Sequence, residues 1–431
     1  MKIEHECPQC GAPVVLEETD RLLSCNFCRT RLSIQARGCF QYYFPPADNI
    51  KEDVFFIPYW RFRGMHFLCI TDRIEQGLLD KTIPAVNSPS VQPSMGLRPQ
   101  TLKPRFVRPS DKRIFLKPQL SFEESYVMTE QKISFEQVTV RKKLTLFESF
   151  DIPITETIIK EDVLFYESFI GETLSLLYTP VYMRNNAVYD AIVNEPASHH
   201  PCDGSFDLRD AGKNFETVFL PTICPNCGRD MIAERDSCIL ACSHCSSLWE
   251  TGAEGFSATD FAVMMAAKDS AADLMYLPFW RMKADVRGID LRSYADLVRY
   301  ANLPKSIRRE WEESVLYFWA PAFKVPPSTF LMLSRQLTLL QPNKKIDNNL
   351  QGLRVSPVNL TRREAIESVK ITIANMSARK KILFPQLNHI DAECSESLLV
   401  YYPFTETKNE FIQKELRLGI QKNALALGQR I

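Results

Sequence analysis

Histidine is scarce in this sequence. Of 431 residues only six are histidine, and two of these are the neighbours His199 and His200. That leaves too few for a histidine-based active site built twice. Glycine is also sparse, at 15 residues, which disfavours phosphate-cradling loops. The chain contains no G-x-x-x-x-G-K-[ST], no G-x-G-x-x-G after a strand pattern and no G-x-S-x-G. It has no net charge, with 52 Lys and Arg against 52 Asp and Glu, so a large uniform basic field for nucleic acid or anionic lipid is excluded. No apolar run reaches the roughly 18 residues of a membrane helix. The best candidate, Ser168 to Met183, is broken by Glu172 and Pro180. The opening MKIEHECPQC is charged and cysteine-bearing, unlike a signal peptide.

Cysteine, by contrast, is plentiful. Eight of the 13 fall in four C-x-x-C pairs, which argues for metal-held thiolates in a reducing compartment rather than disulfides. A cytoplasmic location is expected. Cys39, Cys69, Cys202, Cys238 and Cys394 are scattered. A chain of this length exceeds what one core usually serves, so two or more domains are expected.

The pairs belong to an internal repeat. Shifting the chain so that Cys7 falls on Cys224 also brings Cys10, Cys25 and Cys28 onto Cys227, Cys242 and Cys245. Downstream, Ile57-Pro58-Tyr59-Trp60-Arg61 matches Leu277-Pro278-Phe279-Trp280-Arg281. Ile83 to Leu102 aligns without gaps on Ala320 to Leu339, sharing among others Pro84/Pro321, Met95/Met332 and Arg98/Arg335. Leu177-Tyr178-Thr179-Pro180 matches Val400-Tyr401-Tyr402-Pro403. Four segments in one order at slowly drifting offsets imply two homologous halves. The expected fold class is α+β and β-rich. A ribbon at 1–37 precedes a mainly antiparallel β domain at 50–195. After a linker at 196–220, a ribbon at 221–252 precedes a β domain at 256–431 that ends in a helix.

Within each half, prolines stand beside aromatic, β-branched runs such as Val54-Phe55-Phe56-Ile57 and Leu398-Leu399-Val400-Tyr401-Tyr402. These read as strands, with each proline at a strand end, an edge or a bulge. Ser121 to Glu167 also reads as sheet. Helices are expected over Phe256–Ala272, Asp290–Tyr300 and Asn409–Gln429, where apolar residues recur at helical spacing. The stretch Pro84–Pro118 holds seven prolines, and its Arg98, Lys103, Arg105, Arg108, Lys112, Arg113 and Lys117 face one acid, Asp111. It reads as an extended connector, or as a basic arm for nucleic acid.

Zinc needs four ligands at tetrahedral angles, and two C-x-x-C turns presented by two hairpins supply them. The 14 residues between the pairs suffice for strand, turn and strand. The metal ligands are therefore Cys7, Cys10, Cys25 and Cys28 in one site and Cys224, Cys227, Cys242 and Cys245 in the other. Gly11 and Gly228 follow the first knuckles, where a left-handed residue is needed. The pattern C-P-x-C-G-x14-C-x-x-C resembles the zinc-ribbon family over about 30 residues of each half. That resemblance implies two structural Zn²⁺ ions. Arg29 and Ser246 stand where family members often place a second glycine. Iron in a rubredoxin-like centre and thiol redox chemistry are the competing readings of the cysteines. Arg21, Arg29, Arg31, Arg229 and Arg235 are available to offset the charge of the thiolates.

Weaker constellations remain. His199-His200-Pro201-Cys202-Asp203 gathers metal-competent groups, Cys238 and His244 lie beside the second tetrad, and Trp60-Arg61-Phe62-Arg63 and Trp280-Arg281-Met282-Lys283 alternate cations with apolar groups. The last two read as a base- or phosphate-contacting face, or as one buried and one solvated face of a strand. No catalytic set emerges. The expected function is a non-enzymatic zinc-binding adaptor or complex subunit that binds protein partners through duplicated β-rich domains. A nucleic-acid-binding zinc ribbon is one alternative, and an enzyme with a site in one half, near His199, His200 and Cys202, is another.

Overall fold

The computed structural model describes residues 1–36, 38–108, 111–122, 124–125, 138–142, 157–161, 163–169, 174–197, 206, 217–252, 254–266, 273–342 and 346–428. Among these, strand far outweighs helix, as expected for a β-rich α+β protein. No helix is long and apolar enough to cross a membrane.

The first half opens with four short strands, β1 (Lys2–Glu6), β2 (Pro13–Glu17), β3 (Leu22–Ser24) and β4 (Arg31–Ala36). Then come β5 (Phe40–Tyr43), the long hairpin β6 (Phe55–Ile70) and β7 (Arg73–Pro84), β8 (Arg105–Phe106), β9 (Ile114–Phe115) and a separate pair, β10 (Val138–Lys142) and β11 (Thr157–Glu161). The half closes with β12 (Val163–Phe169), β13 (Ser175–Arg184), β14 (Ala187–Asp190) and β15 (Glu195–Pro196). The main sheet runs β12-β6-β13-β5-β8-β1-β2, with β7 and β9 also on β6. It is antiparallel except where β5 meets β13, β8 meets β1 and β9 meets β6.

Next is β16 (Thr217–Pro221), which pairs with β4 of the first ribbon, so the end of the 196–220 stretch is strand rather than free linker. The second ribbon follows as β17 (Met231–Ile232), β18 (Ile239–Cys242), β19 (Leu248–Gly252) and β20 (Gly255–Thr259). The second large sheet is built from β21 (Phe261–Met264), β22 (Leu274–Arg287), β23 (Tyr317–Pro321), β24 (Ile346–Asp347), β25 (Asp391–Glu406), β26 (Glu410–Gln413) and β27 (Leu418–Gln421), in the order β23-β22-β25-β21-β24.

The two sheets use matching registers. Tyr59 faces Pro84 as Phe279 faces Pro321. Pro58 faces Tyr178 as Pro278 faces Tyr401. Leu176 faces Gln41 as Leu399 faces Phe261, both in parallel pairs. The indole of Trp60 donates to the Leu120 carbonyl at 3.1 Å, and that of Trp280 to Leu360 at 3.0 Å. Pro84 and Pro321 end their strands, as expected, whereas Pro58, Pro180, Pro278 and Pro403 sit inside long ones. Pro58 lies one residue beyond the last partner in β7, and Pro278 one beyond the last in β23. The Pro58 and Pro278 carbonyls accept from Ala85 and Ala322, each at 3.0 Å. The missing N–H thus falls where the neighbouring strand turns away, so no ladder bond is lost.

Two expected helices are not there. Phe256–Ala272 holds β20 and β21 among its described residues, and Asn409–Gln429 holds the β26–β27 hairpin before a helix of seven residues, Lys422–Gly428. The third exists in shortened form as Tyr294–Tyr300, closed by a capping box between Ser293 and Asp296. Further helices cover the second sheet, chiefly Pro327–Leu340, Arg362–Glu367 and Val369–Met376. Their buried side chains share one core with Phe279, Trp280, Trp319 and Tyr402. Met65, Phe67 and Cys69 of β6 and Phe165 of β12 enter the same core, so the first half's long hairpin is packed onto the second half.

Candidate metal centres

Both cysteine tetrads assemble. In the first, the Cys7 and Cys28 sulfurs are 3.7 Å apart and those of Cys10 and Cys25 3.6 Å. In the second, Cys224 and Cys245 are 3.6 Å apart and Cys227 and Cys242 3.4 Å. Within each tetrad all sulfurs lie within 4.8 Å of one another. A tetrahedral metal with sulfurs at about 2.3 Å needs sulfur–sulfur edges of about 3.8 Å, so the donor sets fit Zn²⁺. Four thiolates complete that shell and leave no position for a catalytic water.

The turns explain the geometry. The Cys7 N–H donates to the Ala12 carbonyl and the Cys224 N–H to that of Arg229, both at 2.8 Å, closing each first knuckle. Gly11 and Gly228 take φ of 74° and 72°. Arg29 and Ser246 adopt the left-handed region too, at 62° and 54°, without being glycine. Arg29→Gly and Ser246→Gly should each stabilise the zinc-loaded protein by about 0.5–1 kcal/mol, read as a higher denaturation midpoint. An unchanged or lower midpoint would show that the side chains offset the strain.

Electrostatics repeat from site to site. Hydrogen bonding to Thr30 draws the Cys28 thiol down to about 6, and Ser247 does the same for Cys245, also to about 6. Cys10 and Cys227 are pushed up to about 12. Backbone hydrogen bonds involving Ala12 and Arg229 oppose this, but burial and the neighbouring thiols outweigh them.

The ribbons are docked on each other. The Arg21 and Leu22 N–H groups donate to the Arg235 carbonyl at 2.7 and 3.0 Å, and Arg235 pairs with Asp20. Burial raises the Asp20 carboxyl above its ordinary value even so. Leu22 of the first ribbon packs with Cys224, Met231, Leu240 and Cys242 of the second. Arg21 and Arg235 are thus turned to this interface and to the Phe40 ring, which the Arg21 guanidinium overlies at 5.3 Å. Cys238 is no ligand. It is buried, and its Sγ and N–H both reach the Val358 carbonyl, tying the second ribbon to its lobe. His244 is exposed. His199, His200 and Cys202 lie outside the described residues.

The cationic stretches are engaged by carboxylates. Arg98 pairs with Asp190, Lys103 and Arg105 with Glu4, Arg108 with Glu6 and Arg113 with Asp111. Arg61 is buried between Glu18 and Asp80, with its side chain 3% exposed. Sequence reasoning missed Glu18 and Asp80, because neither lies near Arg61 in the chain. No family model, curated protein or solved structure matches this chain.

Proposed function

We propose that this is an internally duplicated, non-enzymatic, zinc-stabilised adaptor of the cytoplasm that binds protein partners. The observation that carries the reading is the use of both tetrads as closed scaffolds. Eight thiols are committed to metal geometry, and the ribbons they hold are tied to one another and to the lobes. The matching registers of the two sheets support descent from one repeated unit, and two related lobes offer two related surfaces. The metals are read as zinc rather than iron, since a structural role needs no redox change. The nucleic-acid reading is disfavoured because the arm's arginines already face Glu4, Glu6, Asp111 and Asp190.

Affinity capture with the full chain, identified by mass spectrometry, should recover defined protein partners that a Cys7→Ser/Cys224→Ser variant loses. Direct titration with DNA and RNA at low salt should show no binding of steep salt dependence. Salt-sensitive nucleic-acid binding without protein capture would replace this reading with the nucleic-acid one.

A further inference from the structure

The two halves treat one arginine differently. In the first, Arg61 is enclosed by carboxylates: its Nε is 3.3 Å from Glu18, and Asp80 pairs with its guanidinium. In the second, the matching residue is Arg281, which faces Trp319 across the sheet as Arg61 faces Thr82. Both acids are gone. Asp80 faces Arg63 across its sheet, and the corresponding pair is Tyr317 and Lys283. With Cys25 laid on Cys242, Glu18 falls on Arg235, which is turned to Asp20 of the first ribbon. The Arg281 guanidinium lies over the Tyr317 ring at 4.7 Å; its Nε, like that of Arg61, is covered and without a hydrogen-bond partner, but among the described residues no carboxylate pairs with Arg281.

Arg281 opens into a cleft of about 1100 Å³ between the second ribbon, the sheet and the helix Arg362–Glu367. Ser395 and Ser397 also line it, as do Arg362 and Arg363. Of its acidic walls, Glu396 faces Lys283 at 3.3 Å, Glu367 faces Arg363 at 3.0 Å and Glu250 faces Arg362 at 4.0 Å. Asp260 makes no ion pair with Arg281. The adjacent edge of the sheet cannot capture a peptide backbone at Tyr317, because Gln341 already brackets the Tyr317 N–H and carbonyl. A ligand here must be read through its side chains.

We infer that this cleft binds a glutamate or aspartate side chain of an acidic segment in a protein partner. The partner's carboxylate takes the place at Arg281 that Glu18 and Asp80 hold at Arg61, forming the charge-assisted pair that the second half lacks. Tyr317 and Ser397 supply a ring face and a hydroxyl beside it, while the Ser395 hydroxyl already donates to the Lys283 carbonyl at 3.3 Å.

This inference rests on the adaptor reading but fails separately from it. The zinc-loaded full chain is titrated with a synthetic glutamate-rich peptide, with the same peptide carrying glutamine, and with one carrying phosphoserine. The glutamate peptide is expected to bind and the glutamine peptide not. Arg281→Gln and Tyr317→Asp should each weaken binding by roughly tenfold to a hundredfold, while Arg287→Gln, on the exposed end of β22, leaves it unchanged. Tyr317→Asp restores the first half's own acid and should keep the fold even if Arg281→Gln does not. No binding of the glutamate peptide, wild-type affinity in both Arg281→Gln and Tyr317→Asp, or preference for phosphoserine would overturn the proposal. If partners captured by the wild type are retained by these two variants, this inference falls and the adaptor reading stands.

Discussion

Replacing Cys242 by serine should cut bound zinc from two ions per chain to one and collapse the second ribbon. Structural zinc supplies apparent folding free energy on the order of 10 kcal/mol, more than a ribbon this small can lose. Cys242 is buried in the same cluster as Leu22 of the first ribbon, and Cys238 ties the second ribbon to Val358 of the lobe behind it. Loss of the metal should therefore spread. The Leu22 and Arg21 contacts to Arg235 should open, and hydrogen-exchange protection should fall in the first ribbon as well as the second. Metal analysis by mass spectrometry with hydrogen exchange on the full chain tests both parts. Two zinc ions retained in the variant would remove Cys242 from the ligand set. Protection lost in the second ribbon alone would show that the ribbons fold independently.

The gathering of the eight cysteines into two tetrads was legible in the sequence because its geometry is local: a C-x-x-C turn fixes two sulfurs whatever surrounds it. The same holds for Gly11 and Gly228, whose left-handed backbone is dictated by the knuckle. Helices were harder to read. Phe261, Met264 and Met265 have helical spacing, but Phe261–Met264 is a strand packed between two neighbours, and a short strand buried on both faces carries no alternation to betray it. Ile412, Leu416 and Ile420 are four apart, yet Ile412 and Ile420 lie on opposite strands of a hairpin, where Phe411 faces Ile420 and Ile412 faces Gly419. Spacings of four satisfy a helix and the two-residue period of a strand equally well. The aligned segments Ser90–Leu102 and Pro327–Leu339 diverge outright. Pro93, Gly96 and Pro99 confine the first to a single helical turn, Arg98–Thr101, whereas the second, with Phe330, Leu333 and Leu337 on a buried face, is continuous helix. The acids around Arg61 were not legible, since charge pairing across a sheet depends on register, and register is a property of the assembled fold.

Arg61→Met should cost about 3–5 kcal/mol, whereas Arg281→Met should change stability by less than about 1 kcal/mol. The difference follows from what each substitution leaves behind. Without Arg61, the Glu18 carboxylate, 2% exposed, keeps only its longer contacts, to the Met1 ammonium at 3.6 Å and to Arg63 at 3.9 Å, and loses the guanidinium that makes direct contact. Without Arg281 no buried acid is orphaned, because the second half has none at that place. Adding Glu18→Gln to Arg61→Met should recover part of the loss, giving a coupling energy of about 1–3 kcal/mol in a double-mutant cycle run by denaturant unfolding. If Arg61→Met and Arg281→Met cost the same, the carboxylates are not what distinguishes the two halves. If the cycle closes with no coupling, Arg61 is held by packing of its stem instead. Unequal costs at matching strand positions would mean that one half spends its arginine on holding a ribbon to a sheet, while the other leaves the same group open for a carboxylate from outside.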